Sequence, residues 1–402
     1  MKAVVFTLGC KVNEVESASI MAALEKNGWE VDDKLSFADA YVLNTCAVTR
    51  EAEKKSRQLV ARVRKYNPKA RIFVCGCASE KDADSFKERG VTFVTGARKK
   101  QEILEAFSRE YGCAAIGLPY PKQTKTRAFI KIQDGCNNFC SYCIIPYLRG
   151  REVSRPAEDI LNEINQTDSP EIVITGINIS SYEGGLAGLM RALKRVKKRI
   201  RLGSLECNVI DDELLTSLTE LADFAPQFHL SLQSGSSRVL KAMNRHYTRE
   251  EYIQKCRNIY KYFPDAAITT DIIAGFATET EEDFLQSLSI IEEVGFARVH
   301  AFEYSPREGT AAYKMKQLPP SVKSERLHRL LAAGEKCAEA FALKRLNGEQ
   351  EFIAEEYAEG FTSGYTGNYI RVYVPAELTA GKKYRVRLTQ LFKDGVKAEV
   401  NE

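Results

Sequence analysis

Short apolar runs alternate with helical segments along most of this chain, and that alternation commits it to parallel sheets. Strands joined through a crossover helix pair side by side in one direction, so a series of such units builds α/β layers rather than hairpins. In the first third, residues 2–8, 41–44, 71–74 and 91–94 are apolar strand segments. A helix over 13–26 ends at Asn27-Gly28, a C-cap pair, and a helix of mixed charge follows Thr49 and runs to Pro68. These residues predict an open parallel sheet, a form that binds ligands beyond the carboxyl ends of its strands. A second series has strands at 128–132, 171–175, 201–205, 228–232, 268–273 and 298–302, each followed by helical sequence. Six βα units predict an incomplete barrel with its site at the strands' C-terminal ends. Those ends carry Cys136, Gly176, Glu206, Gln233, Gly275 and Tyr304.

After a helix over 322–346 the period changes. Residues 352–358, 369–374, 384–391 and 396–400 are short alternating strands, with a hairpin signal at Lys393-Asp394-Gly395. They predict a small all-β barrel, a form that serves equally as an RNA-binding module or as structure. The Pro- and Lys-rich stretch 118–127 is a linker by composition. The expected division is therefore 1–117, a linker over 118–127, 128–346, and 347–402. The N-terminal run to Cys10 reads as a buried strand rather than a signal peptide, and no apolar run reaches transmembrane length. A cytoplasmic protein without a membrane partner is expected.

Eleven cysteines are too few for a disulfide scaffold in 402 residues and more than packing requires. In a reducing compartment they point to metal or redox work. Cys136, Cys140 and Cys143 form a C-x3-C-x2-C loop with no fourth cysteine or histidine nearby. Structural metal sites are closed by four ligands, whereas three thiolates on a four-iron cluster leave one iron open. The competing reading is half a zinc site completed by Cys113 or a histidine, but none stands at zinc-finger spacing. Cys10, Cys46 and Cys77 each follow a separate strand of the first series and are candidates to converge; buried thiols are the alternative. Cys75 lies two residues before Cys77, on the same face if the strand continues.

Other features are weaker. Arg191 to Arg201 is basic, with Leu189, Leu193, Val196 and Ile200 as an apolar stripe, and reads as a solvated outer helix. Basic residues in 122–127, 149–155 and 385–387 are better phosphate candidates. Gly184, Gly185 and Gly188 lack a dinucleotide-binding pattern and read as a loop. His229 reads as a core histidine and His246 as a rim loop residue. Glu206 and Asp271 suit either a ligand's hydroxyls or amine, or barrel arginines.

Taken together, the residues resemble the methylthiotransferases, a branch of the radical S-adenosylmethionine (SAM) enzymes. The resemblance rests on Thr7-Leu8-Gly9-Cys10-Lys11-Val12-Asn13-Glu14, Leu43-Asn44-Thr45-Cys46-Ala47-Val48, Gly76-Cys77, and Cys136 through Arg149-Gly150-Arg151. It implies a Rossmann-like α/β domain, a partial (β/α)6 radical-SAM barrel and a C-terminal TRAM barrel. It implies two 4Fe-4S clusters. Cys136, Cys140 and Cys143 would hold the one whose open iron chelates SAM, which one-electron reduction cleaves to a 5′-deoxyadenosyl radical. Tyr142 would pack the adenine, and Gly176, Ser204, Glu206 and Gln233 would line the SAM pocket. Cys10, Cys46 and Cys77 would hold an auxiliary cluster carrying the sulfur that one SAM methylates. The Gly-Cys-Lys-Val-Asn run and Cys-Ser-Tyr-Cys-Ile-Ile-Pro resemble the branch that modifies carbon 2 of N6-threonylcarbamoyladenosine at tRNA position 37. An isopentenyl-adenosine tRNA or ribosomal-protein target, and a zinc-stabilised RNA-binding protein, are the alternatives. Implied partners are a tRNA anticodon stem-loop, an electron donor and a sulfur source, and a monomer is expected. Two residue choices depart from the family pattern: Cys75 is extra, and Ala277-Thr278-Glu279-Thr280 stands where Pro-Gly-Glu-Thr is usual.

Overall fold

A computed structural model describes residues 1–401 except 115, 122, 124 and 125. The chain divides into two compact units, each discontinuous in sequence. The first comprises Met1–Gln123, Asp134–Val153 and Ser305–Tyr313; the second comprises Thr124–Gln133, Ser154–Tyr304 and Lys314–Glu402.

The first unit is built on a parallel sheet of β1 (Lys2–Thr7), β2 (Glu30–Asp32), β3 (Ala40–Thr45), β4 (Arg71–Gly76) and β5 (Phe93–Val94), in the order β2-β1-β3-β4-β5. Every residue of β3 is buried, as a central strand covered on both faces must be. Tyr41 and Leu43 pack one layer with Val60, Val63 and Ile72. Ala40 and Val42 pack the other with Ile20, Trp29 and Phe107. This order is that of a doubly wound sheet whose switch point lies between β1 and β3. The segment after Cys143 belongs to the same unit, and its Ile144 and Leu148 are part of the first of these two layers.

The second unit holds β6 (Arg127–Asp134, whose last residue falls in the first unit), β7 (Val153–Ser154), β8 (Glu171–Gly176), β9 (Arg199–Leu202), β10 (Ser204–Leu205), β11 (Gln227–Leu230), β12 (Ala267–Ala274) and β13 (Arg298–Glu303). They form two four-stranded sheets, β7-β6-β8-β9 and β10-β11-β12-β13. Gly203 separates β9 from β10, and its N–H donates to Ile174 O at 2.8 Å. All six expected barrel strands are present, and every βα pair among them is parallel. The basic run from Arg191 is not one outer helix. The helix Leu186–Leu193 stops, and Arg199 and Arg201 are buried strand residues whose charges have acidic partners inside the unit.

Those partners seat the C-terminal barrel, a closed set of β14 (Glu349–Ala358), β15 (Phe361–Thr366), β16 (Arg371–Val374), β17 (Lys383–Phe392) and β18 (Gly395–Val400). Arg201 grips Glu171 through Nε at 2.7 Å and Nη2 at 3.2 Å, and donates to the carbonyls of Thr366 and Gly367. Arg127 pairs with Glu171 at 2.9 Å and with Glu355, and Arg199 pairs with Asp223 and Glu351. Tyr365 and Tyr369 stack at 4.8 Å, with the Arg127 guanidinium 4.8 Å from the Tyr365 ring and that of Arg201 5.0 Å from Tyr369. Arg385 and Arg387 point outward from β17 and are exposed, while Val386 and Leu388 fill the interior. Of the expected basic segment 122–127, residues 122, 124 and 125 lie outside the described residues. Among the described residues no helix is long and apolar enough to cross a membrane.

The departure at Ala277-Thr278-Glu279-Thr280 has a local consequence. Thr278 adopts φ +67°, a left-handed conformation that is an outlier for a β-branched residue. Two hydrogen bonds hold it there, Thr278 N to Lys316 O and Arg238 Nη2 to Thr278 O. Thr278→Gly is expected to raise stability by about 1 kcal/mol, read as a higher melting temperature. An unchanged or lower value would mean that the turn carries no strain.

Candidate functional site

Cys10, Cys46 and Cys77 stand at the carboxyl ends of three adjacent strands, β1, β3 and β4. Two similar glycine turns put the outer pair in place. Gly9 has φ +118° and Gly76 has φ +109°, values that side chains rarely adopt. A side chain on Gly9 would come within 3.2 Å of Cys46 Sγ; one on Gly76 would meet the Thr45 nitrogen at 2.6 Å. The chain thus leaves each strand sharply and enters a helix at once. Cys10 caps Lys11–Lys26, and Cys77 opens Cys77–Lys81.

The turn at Gly76 also separates Cys77 from Cys75. The strand's two-residue period stops there, so Cys75 is sealed in the Ile20, Trp29 and Phe107 layer while Cys77 joins the opposite layer. Cys46 is fixed through its backbone, whose N–H donates to Ser56 Oγ at 3.1 Å while the Ser56 hydroxyl donates to Cys46 O at 3.0 Å. Asn13 ties two strand ends together by donating to Leu8 O at 2.8 Å and Thr45 O at 3.1 Å. Cys10 is exposed, and Cys46 and Cys77 are buried. Burial pushes the Cys46 and Cys77 thiols up, and the nearby Cys10 sulfur adds to the rise at both. Among the described residues no three cysteine, histidine, aspartate or glutamate side chains form a group that could hold a metal ion.

The C-x3-C-x2-C loop lies in the same unit. Gly135 has φ +74°, and a side chain there would meet Gly150 O at 2.6 Å. Cys136 N donates to Gly150 O at 3.2 Å, Cys143 N to Cys140 O at 2.9 Å, and Asn138 N to Cys136 Sγ at 3.5 Å. Phe139 takes φ +48°, with Tyr147 edge-on at 5.4 Å and the Arg151 guanidinium 5.0 Å from its ring. Tyr142 is half-buried between two of the cysteines. Ser141 O accepts from Ala312 N at 2.7 Å, so the Ser305–Tyr313 segment braces the loop.

One residue links the two triads, and sequence reasoning misassigned it. Arg149 was expected among phosphate contacts, yet it is fully buried. Nη1 reaches Glu16 Oε1 at 2.9 Å and Asp134 Oδ1 at 3.0 Å; Nη2 reaches Asn13 Oδ1 at 2.6 Å and Glu16 Oε2 at 3.2 Å. Its charge and hydrogen bonding pull the Cys77 thiol downward against burial, and its charge acts on Cys46 in the same sense. Arg155, another expected phosphate contact, is paired with Asp159 and Glu163. The only signal for either role is negative: basic residues beside apolar ones whose acidic partners lie far off or one helical turn on.

In the second unit the expected SAM-pocket residues stand at or just beyond the ends of β8, β10 and β11. Gly176 ends β8, and a side chain on it would meet Gln133 O at 3.0 Å. Gln133 itself accepts from Asn178 N at 2.9 Å. Ser204 is exposed on β10. Glu206 pairs with Arg245 at 2.6 Å and its N–H donates to Ser180 Oγ. Gln233 has φ +70°, held by Gln233 N to Asp271 O and Ile273 N to Gln233 O. Arg245 and Gln133 were not anticipated. His229 sits between Thr269 Oγ1 at 2.9 Å and Asp271 Oδ2 at 3.1 Å. A cavity of about 660 Å³ opens between β13, the helix Pro320–Leu343 and the C-terminal barrel, lined by none of the expected SAM-pocket residues.

Residues 130–291 match the radical SAM superfamily, and residues 2–96 match the family described as Uncharacterized protein family UPF0004. The chain is 40% identical over 361 residues, 87% of its length and 86% of the relative's, to the threonylcarbamoyladenosine tRNA methylthiotransferase MtaB of Chlamydia pneumoniae. It is 38% identical over 378 residues, 87% of its length and 84% of the relative's, to the protein of the same name in Bacillus subtilis. The chain belongs to the radical SAM tRNA methylthiotransferases. The enzyme is also 39% identical, over 81% of its length and 80% of the relative's, to a tRNA-2-methylthio-N(6)-dimethylallyladenosine synthase of Clostridium perfringens. Its fold is similar to that of the radical SAM methyltransferase TsrM from Kitasatospora setae, with a TM-score of 0.56 at 13% identity, covering 76% of the enzyme and 73% of TsrM.

The turn geometry makes Gly76→Ala costly. A Cβ there meets backbone on the neighbouring strand, so a loss of about 3 kcal/mol is expected in denaturant unfolding. Unfolding at the same denaturant midpoint as the parent would show that the strand end can relax. Acid stability supplies a second test. Burial alone would raise the Glu53 carboxyl, but hydrogen bonds from Arg57, Arg307 and Lys81 outweigh it and bring its pKa to about 2. The unfolded chain then binds the proton more tightly than the folded one, so this stabilisation is complete above the ordinary carboxylate range and fades as the pH falls from about 4 towards 2. Glu53→Gln is expected to cost about 2 kcal/mol at neutral pH, with the difference from the parent shrinking over that window.

Proposed function

We propose that this enzyme inserts a methylthio group at carbon 2 of N6-threonylcarbamoyladenosine at position 37 of tRNA. In this reading Cys136, Cys140 and Cys143 hold one 4Fe-4S cluster, and Cys10, Cys46 and Cys77 hold a second. The observation that carries it is that Cys10, Cys46 and Cys77 follow three adjacent strands of one sheet, at and beside its switch point, in the unit that also holds the C-x3-C-x2-C loop. A chemistry with two open cluster irons suits sulfur insertion, which must bring a sulfur and a hydrogen-abstracting group to one carbon.

The protein's part is to bind and orient. When bound, the clusters and SAM supply hydrogen abstraction, sulfur and methyl, with a second SAM as the methyl donor. Glu206 is held by Arg245 in a position to accept from a hydroxyl or an amine. Gln233 is fixed by two strand hydrogen bonds in a conformation that aims its side chain independently of the strand's alternation. Ser204 adds an exposed hydroxyl, Gly176 lets Gln133 and Ile179 pack closely on the end of β8, and Tyr142 offers an aromatic face beside Cys143. A substrate tRNA fits the outward Arg385 and Arg387 of the C-terminal barrel.

The Gly-Cys-Lys-Val-Asn run and the names of the Chlamydia and Bacillus relatives support the threonylcarbamoyl substrate. The Clostridium relative's name favours a second reading, dimethylallyladenosine. Nucleoside mass spectrometry of tRNA from cells with and without the gene separates the two. The threonylcarbamoyl reading expects its 2-methylthio derivative to vanish on deletion, return with the parent gene, and stay absent with Cys10→Ala. Loss of the dimethylallyl derivative instead would transfer the assignment. After anaerobic reconstitution the parent should carry about eight irons and Cys10→Ala/Cys46→Ala/Cys77→Ala about four, with SAM cleavage retained. Four irons in both would remove the second cluster.

A further inference from the structure

Arg149 is a buried cation whose hydrogen-bonding capacity is not exhausted among the described residues. A guanidinium has five N–H groups in a fixed fork. Nη1 and Nη2 are directed at Glu16, Asp134 and Asn13. Nε is buried and, among the described residues, has no hydrogen-bond acceptor. An orphaned buried N–H costs on the order of 1–3 kcal/mol, so it marks either a strain or a missing partner. Geometry places Arg149 beside the thiols: Asn13, which accepts from Nη2, also donates to Leu8 O and Thr45 O, the strand ends that lead into Cys10 and Cys46, and Leu148, next to Arg149, shares a core layer with Cys77.

The surrounding charges fix what this means. Glu16 also meets Lys100 Nζ at 3.3 Å, and Lys100 is itself buried. Two cations and two carboxylates balance in this cluster, so the cradle is neutral before any negative sulfur is added. The carboxylates are drawn to the Nη side of Arg149. The open Nε side is therefore left to an anionic acceptor. Thiolates and sulfides of an iron–sulfur cluster are acceptors of that kind, and hydrogen bonds to them and nearby charge set the cluster's potential.

We propose that Arg149 is a positioning residue for the N-terminal cluster, donating its Nε–H to a sulfur there and holding that cluster at a higher reduction potential than the cysteines alone would give. The inference rests on the two-cluster reading above. Arg149 is carried on the segment that follows Cys143, so the loop of one cluster supplies the outer-shell donor of the other. A positive donor stabilises the reduced, more negative state, and its removal makes reduction harder.

The test uses the full chain with Cys136→Ala/Cys140→Ala/Cys143→Ala, reconstituted anaerobically so that only the N-terminal cluster is present. Its midpoint potential is read by redox titration monitored with electron paramagnetic resonance. Arg149→Lys keeps the charge but loses the fork. Arg149→Met/Glu16→Gln removes the donor together with one of its two carboxylate partners, so the net charge of the cradle is unchanged. The expected order of potentials is Arg149, then Lys, then the double variant. The last should show about a tenfold fall in the reduced-to-oxidised ratio at fixed potential, ~59 mV for one electron. If the double variant does not fold, Arg149→Lys decides alone. Equal potentials in variants that hold four irons would overturn the role of Arg149 and leave the two-cluster reading standing. No iron at this site in the parent would overturn both.

Discussion

The buried ion cluster of Arg149 with Glu16 and Asp134 is what makes the first unit a unit. Glu16 comes from the first helix, Asp134 from the end of a barrel strand, and Arg149 from the segment beyond the cysteine loop. Each charge would be expensive to bury alone, and together they are satisfied. Removing any one would leave its partner uncompensated, at a cost of several kcal/mol. The contacts of Ile144 and Leu148 with the sheet's core add apolar area to the same attachment. The cysteine loop is thus tied to the sheet that bears the other triad by interactions that do not tolerate partial formation.

A comparable device works in the second unit. Glu171 is shared by Arg127 and Arg201, and those arginines also reach Glu355 and the carbonyls of Thr366 and Gly367 in the C-terminal barrel. Arginine suits this role because its planar fork binds a carboxylate while its face lies on Tyr365 or Tyr369. The charged residues at the amino ends of the barrel strands therefore serve attachment. Ser204, Glu206 and Gln233 stand at or beyond the ends of β10 and β11, away from that attachment.

Much of this was legible in the sequence, for reasons that can be stated. The six barrel strands announce themselves because each is a short apolar run bounded by turn residues. The three N-terminal cysteines stand out because each follows such a run. Four of the C-terminal barrel's five strands follow from their period of two, and its Lys393-Asp394-Gly395 hairpin from turn chemistry, whereas β15, a Thr-, Ser- and Gly-containing run between two glycine turns, is not announced. What stayed hidden depends on partners distant in the chain. Arg149 and Arg155 look like surface cations, since nothing local reveals Glu16 or the burial of Glu163. Arg199 and Arg201 look like a continuation of a basic helix until Glu171 is placed beside them. The choice between Cys75 and Cys77 turned on a single glycine conformation, which ends the strand's alternation.

The first unit draws on three separate stretches of chain, the last of them Ser305–Tyr313. That has a consequence for the order of events during translation. The five-stranded sheet can form once about 123 residues have emerged, but the brace on Ser141 and the Arg307 contact to Glu53 must wait for a segment some 190 residues later. At 5–20 residues per second the delay is about 10–40 s. For that interval the nascent sheet presents Cys10, Cys46 and Cys77 while the neighbouring cysteine loop still lacks its final brace, so the ribosome itself imposes an order in which the two cysteine-bearing segments reach their final form.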